Sequence, residues 1–239
     1  MSTQESRNTQ EQTSRDKAKE LAGRRALEFV EEGMVVGLGS GTTATFFIEQ
    51  LGKRVQAGLR IRAIASSRAS EDLARSLGVE ICDFDRCPQI DVTVDGADEV
   101  GPGLALIKGG GGALLREKIV ASASRRFIIV ADSVKVVPVL GAFPLPVEVI
   151  AMASPLVSRR LLDLGMQPSV RHHSDGSLYI TDEGNLILDC ACGKIEDPER
   201  LAASLRSIVG LVEHGLFLGM AELALIAGDG QVQERTRQT

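Results

Sequence analysis

The stretch from Asp95 to Glu117 holds the residue types needed for acid–base chemistry on a small, oxygen-rich anion. The apolar run 90–94 leads into Asp95-Gly96-Ala97-Asp98, two carboxylates at what reads as a strand end. Nine residues after Asp98 comes Ile107-Lys108, then Gly109 to Gly112, then a helix-like segment containing Glu117. Carboxylates move protons, and the N–H groups of a glycine run hold developing negative charge. A lysine beside such a nest of amides is a typical anion holder. Four glycines carry an entropic penalty of roughly 0.5–1 kcal/mol each against alanine in a regular element. Close backbone approach to a ligand explains them better than packing does. Each residue also has a plainer reading: Asp95 and Asp98 as turn caps, Lys108 as a solvated charge, Glu117 as a surface helix residue. Their combination is far more specific than any one of them.

A second motif is Gly39-Ser40-Gly41-Thr42-Thr43, between a short apolar strand and a helix. Unpaired N–H groups and the helix dipole point to one spot there, which suits a phosphate. It is not a P-loop, since no G-x4-G-K-[ST] is present. Nor is it G-x-G-x-x-G, since Ala44 stands at the third glycine position, although the dinucleotide fingerprint sometimes accepts alanine there; Ser66-Ser67 in place of the acidic residue that would hold a ribose weighs against NAD.

The elements that must position these groups alternate. A helix is expected over residues 16–32 with Gly33 ending it, then a strand at 34–38, a helix to about 55, a strand at 59–65 and a helix at 67–77. Strands at 79–82 and 90–94, a helix at 113–123 and a strand at 127–131 follow. Such alternation predicts a parallel α/β sheet with right-handed crossovers, and ligands bind outside the carboxyl ends of its strands. Ser40 to Thr43, Ser66-Ser67, Asp95 to Asp98 and Asp132 all follow strands and should converge on one edge. After Phe143-Pro144-Leu145-Pro146 the texture changes. A strand (147–150), a helix (154–164), two strands joined by a turn at 182–185, a helix capped by Asp197 (197–208) and a strand (211–217) form a ferredoxin-like β-α-β-β-α-β order. Residues 221–227 should return to the first sheet, and Gln231 to Thr239 read as a polar tail. The expected fold class is α/β, a Rossmann-like parallel sheet domain (16–142 and 219–239) with an inserted ferredoxin-like α+β domain (143–218), preceded by a flexible tail (1–15).

A net charge of −5 gives no reason to expect bulk nucleic-acid binding. No apolar run approaches the roughly 20 residues needed to span a membrane, and residues 1–15 lack the apolar core of a secretory signal. Cys82, Cys87, Cys190 and Cys192 match no zinc spacing and read as reduced or buried thiols, which fits a cytoplasmic setting. His172, His173 and His214 read as solvated or core residues.

Taken together, the segments 36–44, Asp95-Gly96-Ala97-Asp98-Glu99, Ile107-Lys108-Gly109-Gly110-Gly111, 115–119, 143–150 and 184–189 resemble ribose-5-phosphate isomerase of the A type. The resemblance runs from about Lys17 to Gly228. It implies interconversion of D-ribose 5-phosphate and D-ribulose 5-phosphate through an enediol(ate), with no metal or cofactor. By position it implies Glu117 as the base that carries a proton between C1 and C2. Asp95 and Lys108 would act on the sugar ring and its oxygens, and Asp98 on the hydroxyl and carbonyl protons. The Gly109 and Gly110 amides would be oxyanion donors, and Gly96, Ala97 and Gly111 would complete the sugar site. Ser40, Gly41, Thr42 and Thr43 would form the phosphate loop, with Lys135 and Lys19 as phosphate lysines. It further implies a homodimer or homotetramer joined through the inserted unit. Two departures stand out: Gly112 lengthens a glycine run that is commonly three, and Ser40 replaces a common threonine. A related sugar-phosphate or CoA-transferase-like enzyme would not be expected to carry Asp95, Asp98, Lys108 and Glu117 together. A sugar-phosphate sensor would be expected to carry a DNA-binding helix-turn-helix and to have lost its base.

Overall fold

The computed structural model describes residues 16–237, and the expected tail, 1–15, lies outside them. The chain opens with α1 (residues 16–26), which buries Ala22 and Ala26. A single 3-10 turn, Leu27–Phe29, ends it, because Val30 turns extended and its N–H bonds back to Leu27. The helix thus stops short of residue 32. Gly33 adopts φ +82° in the following turn, with its N–H on Arg60 O, rather than capping the helix.

β1 (Val35–Leu38), α2 (Gly41–Gln56), β2 (Arg62–Ala65), α3 (Arg68–Ser76), β3 (Glu80–Ile81) and β4 (Ile90–Asp95) follow. Two short strands come next, β5 (Glu99–Val100) and β6 (Leu106–Ile107), then α4 (Leu114–Ser122) and β7 (Ser124–Asp132). β8 (Leu145–Val149), α5 (Ser154–Asp163), β9 (Gln167–Val170), β10 (Leu186–Ala191), α6 (Pro198–Arg206) and β11 (Leu211–His214) form the second unit. β12 (Leu216–Phe217), β13 (Leu223–Gly228) and β14 (Gln231–Thr236) close the described chain.

The main sheet has the order β14-β13-β7-β4-β1-β2-β3. Its pairs are parallel except β13–β14. β1 and β4 are almost wholly buried, as expected of strands covered on both faces. From β1 the chain runs outward to β2 and β3, then returns to β4 on the other side of β1. The sheet therefore has its switch point between β1 and β4, where a crevice opens beyond the strand ends. Phe47, Leu51, Leu38 and Ile128 fill one face, and Phe127, Ile129, Phe217 and Ile226 the other.

The antiparallel sheet β11-β8-β10-β9 is ferredoxin-like in its strand order and sits in the chain between β7 and β13. Asp197 caps α6 by accepting from the Arg200 N–H, with Pro198 in the first turn. The turn at 182–185 forms, with the Gly184 N–H on Thr181 O, but it closes a longer excursion, 171–185, that carries isolated bridges His172–Leu178 and Ile180–Leu186. The single strand expected at 211–217 splits at Gly215. Its N–H goes to Pro146 O and its carbonyl accepts from Lys108 N–H, so β12 leaves the second sheet to pair with β6. The "polar tail" is in its greater part a strand: β14 pairs antiparallel with β13 along the edge.

Candidate active site

The loops after β1 and β4 meet at the switch point. The Ser40 N–H and the Gly96 N–H both donate to Asp95 Oδ1, at 3.0 and 2.7 Å. A Cβ on Gly39 would lie 2.2 Å from that oxygen, so only glycine lets the two loops approach. Asp95 is buried behind the crevice, as a brace between the loops.

Lys108, at the exit of β6, reaches the same place. Its Nζ lies 3.0 Å from Asp95 Oδ2 and 3.4 Å from Glu117 Oε2, and it donates to Gly96 O at 2.6 Å. All three charged side chains are at most 4% exposed, so they form a buried cluster of two carboxylates around one ammonium. Glu117 sits in the first turn of α4. Its Oε1 accepts from the Ser40 hydroxyl, while Oε2 is buried without a hydrogen-bond partner. Ser40 therefore spends its side chain on Glu117 rather than on capping α2. Asp98, on the crevice wall, accepts from the Gly110 N–H at 2.7 Å.

The electrostatics follow from burial. It pushes the Asp95 carboxyl up to about 7, with the Glu117 charge adding to it and Lys108 pulling against it. Burial also raises Asp98, against the Gly110 N–H and Lys108. For Lys108 burial works to strip the proton, but Asp95 and Glu117 more than offset it and hold the ammonium above its ordinary value.

One cavity of about 200 Å³ collects the expected groups. Ser40, Gly41, Thr42 and Thr43 line one end, at the start of α2, together with Lys19 and Lys135. The amides of that first helical turn have no partners within the helix, which makes the end suited to an anion. Gly96, Ala97, Asp98, Lys108, Glu117 and the glycines Gly109 to Gly111 line the rest. Of the residues carried over from the family resemblance, Asp95 alone stays off the wall. Ser66 and Ser67 do not line it either: Ser67 caps α3, and the Ser70 hydroxyl donates to Gly39 O, holding the loop from behind. A wider hollow of about 570 Å³, bounded by Cys82, Phe84 and Ile119 among others, holds none of the expected groups.

Asp132, placed at this edge by its position after the strand, lines the cavity with a buried, unpartnered Oδ1. Two residues escaped the sequence reading. Arg171 and Tyr179 grip the glycine run from far along the chain, and nothing local in sequence marks them. Among the described residues no group of three or more His, Cys, Asp or Glu could hold a metal. The four cysteines are free thiols, three of them buried, and His214 is a core residue.

Comparison with known proteins agrees with this geometry. The sequence model of ribose 5-phosphate isomerase A (phosphoriboisomerase A) matches residues 62–231. A ribose-5-phosphate isomerase A from Roseiflexus sp. (strain RS-1) is 51% identical over 219 residues, covering 90% of this chain and 94% of its own. One from Caulobacter vibrioides (strain NA1000 / CB15N) is 49% identical over 221 residues, covering 90% and 96%. Among solved structures, a D-ribose-5-phosphate isomerase in complex with phospho-erythronic acid superposes with a TM-score of 0.91 at 35% identity, covering 93% of this chain and 99% of that one. The ribose 5-phosphate isomerase from Plasmodium falciparum does so at 0.90 and 32%, covering 94% and 100%. The chain belongs to the ribose 5-phosphate isomerase A family.

Proposed function

We propose that this chain interconverts D-ribose 5-phosphate and D-ribulose 5-phosphate, in keeping with relatives named as ribose-5-phosphate isomerases. The observation that carries the reading is Glu117: one oxygen is held by Ser40 and the other is buried, without a hydrogen bond, beside Lys108. A carboxylate so oriented can take a proton from one sugar carbon and return it to the next. Lys108 and the glycine amides stabilise the enediolate oxygen. Asp98 passes protons between the two oxygens, while Asp95 fixes Lys108 and assists ring opening. The start of α2, with Lys19 and Lys135, holds the phosphate, and that remote binding energy orients the reacting carbons.

The wider setting is part of the same proposal. The enzyme serves the pentose phosphate pathway in the cytoplasm. It assembles as a homodimer or homotetramer through residues 143–218, taken as an inserted domain. No described helix is long and apolar enough to cross a membrane. The test is formation of ribulose 5-phosphate from ribose 5-phosphate, with EDTA present, by wild type and Glu117→Gln. The expected result is wild-type turnover and a loss of about 10²–10⁴-fold in the variant, the usual range for a positioned base, with inorganic phosphate still bound. Wild-type binding without turnover would replace the enzyme with a sensor. Full activity in Glu117→Gln would move the base elsewhere.

A further inference from the structure

The glycine run is held from behind by the inserted unit. Residues 109–112 make one turn, closed by the Gly112 N–H donating to Gly109 O at 2.9 Å. Arg171 Nη1 donates to Gly109 O at 2.9 Å and to Gly110 O at 3.1 Å. The Tyr179 hydroxyl donates to Gly111 O at 3.1 Å. Three successive carbonyls of the turn are therefore tied down. In a trans peptide the carbonyl and the next N–H point in opposite directions. Fixing the carbonyls of Gly109, Gly110 and Gly111 thus fixes the N–H groups of Gly110, Gly111 and Gly112. The Gly110 N–H meets Asp98, the Gly112 N–H closes the turn, and the Gly111 N–H has no partner among the described residues at a position on the cavity wall.

Arg171 is itself locked. Its Nε donates to Asp189 Oδ2 at 2.8 Å, its Nη2 donates to Asp189 Oδ1, and its guanidinium lies 5.7 Å from the Tyr179 ring centre. Two forked bonds to a carboxylate leave the planar group little freedom. A cation on the carbonyl side of a peptide also polarises it, strengthening the N–H on the other side. Neither Arg171 nor Tyr179 lines the cavity.

We propose that Arg171 and Tyr179 are positioning residues for the isomerisation: they set the peptide planes of the glycine turn so that the Gly110 amide orients Asp98 and the Gly111 amide meets the enediolate oxygen. This rests on the isomerase reading above.

The experiment compares wild type, Arg171→Ala and Tyr179→Phe as full chains. It reads kcat and KM for ribose 5-phosphate, affinity for inorganic phosphate, affinity for phospho-erythronic acid and the thermal midpoint. Phospho-erythronic acid adds to the phosphate a carboxylate, which places negative charge among the sugar-binding groups. Arg171→Ala is expected to lower kcat about 10²-fold, the loss typical of a small misplacement of reacting groups. It should weaken phospho-erythronic acid in parallel and leave phosphate affinity unchanged. Added guanidinium ion should restore part of kcat. Tyr179→Phe is expected to lower kcat about fivefold, the worth of one hydrogen bond. A folded Arg171→Ala with wild-type kcat would overturn the proposal. So would equal losses for both anions without guanidinium rescue, which mark general loosening. If Arg171→Ala does not fold, Tyr179→Phe decides, and an unchanged kcat there overturns it. A wild type that binds but does not turn over would sink the isomerase reading instead, and the ratio of the two anion affinities would still test the turn.

Discussion

Two buried lysines approach the same ring from different sides and end in different states. Lys108 Nζ lies 5.5 Å and Lys118 Nζ 4.8 Å from the centre of Phe217. Lys108 has two carboxylates, Asp95 and Glu117, and keeps its proton more tightly than a free lysine. Lys118 has one, Glu213 at 2.6 Å, along with the carbonyl of His214, and burial brings it down to about 8. The difference lies in the balance of charge rather than in depth. A desolvated ammonium stays charged where anions outnumber it, and loses ground where they merely match it. Beside Lys108, burial, with the Glu117 charge adding to it, pushes Asp95 up to about 7, and one Glu117 oxygen is left without a hydrogen bond. The matched cluster around Lys118 has no excess of anions, and neither Lys118 nor Glu213 lines the cavity.

The sharpest way to break this contrast is to delete each cation. Lys108→Met should lower kcat/KM by about 10²–10³-fold, as for removal of an oxyanion donor, and destabilise the fold by about 3 kcal/mol by stranding two buried carboxylates. Lys118→Met should leave kcat/KM near wild type and destabilise less, because Glu213 is partly exposed. Steady-state kinetics and urea melts check both. Equal kinetic losses would mean that the clusters act as one through Phe217.

A smaller effect is a pair of opposed pH dependences. Burial, then Lys118, lowers His214 to about 4, so the unfolded chain takes the proton first. The stability it contributes is present above about 6.5 and is lost as pH falls toward 4, on the order of 2 kcal/mol. Asp95 works the other way. Its folded value of about 7 lies above 3.8, so the folded chain holds the proton first, and stability is lost as pH rises from about 4 toward 7. Urea midpoints across pH 4–8 should show the advantage of wild type over His214→Gln shrinking below 6.5. Asp95→Asn should gain on wild type over the rise to 7. Parallel curves for all three would mean that neither group titrates differently on folding.

The smallest effect leaves charge untouched. Gly112 has φ +86°, and a Cβ there would lie 2.0 Å from the Tyr179 hydroxyl. Gly165 has φ +79° and open space around it. Alanine at either should destabilise by about 1 kcal/mol from the backbone alone. Any excess at Gly112, read as a larger fall in thermal midpoint, measures how firmly Tyr179 holds the turn.

The parallel sheet could be read from sequence because β1, β4, β7 and β13 are apolar runs buried on both faces, bounded by glycine or acidic turns. The cavity could be read for the same reason, since its groups follow strands that end at one edge. The two-residue strands β5, β6 and β12 could not, being too short to show a period. α1 was read too long because its apolar spacing runs on through Leu27 to Val30, where the chain has already turned extended. β14 was missed because Gln231–Thr236 has no buried face; pairing with β13 makes it a strand, not its composition. Arg171 and Tyr179 were missed because they act on backbone carbonyls 61 to 68 residues away, which leaves no local signature.

That same β14 decides how the molecule treats its neighbours. The main sheet has two rims. One ends in β3, only two residues long and too short to template another chain. The other would be β13, Leu-Ala-Leu-Ile-Ala-Gly, an almost wholly buried run of the kind that stacks into fibrils. β14 pairs along its edge with Gln231, Gln233 and Glu234 exposed, and Arg25 of α1 clasps Glu234 at 2.7 Å. The last described strand is thus a guard against self-recognition: a polar selvedge that keeps the apolar β13 from meeting its own copy.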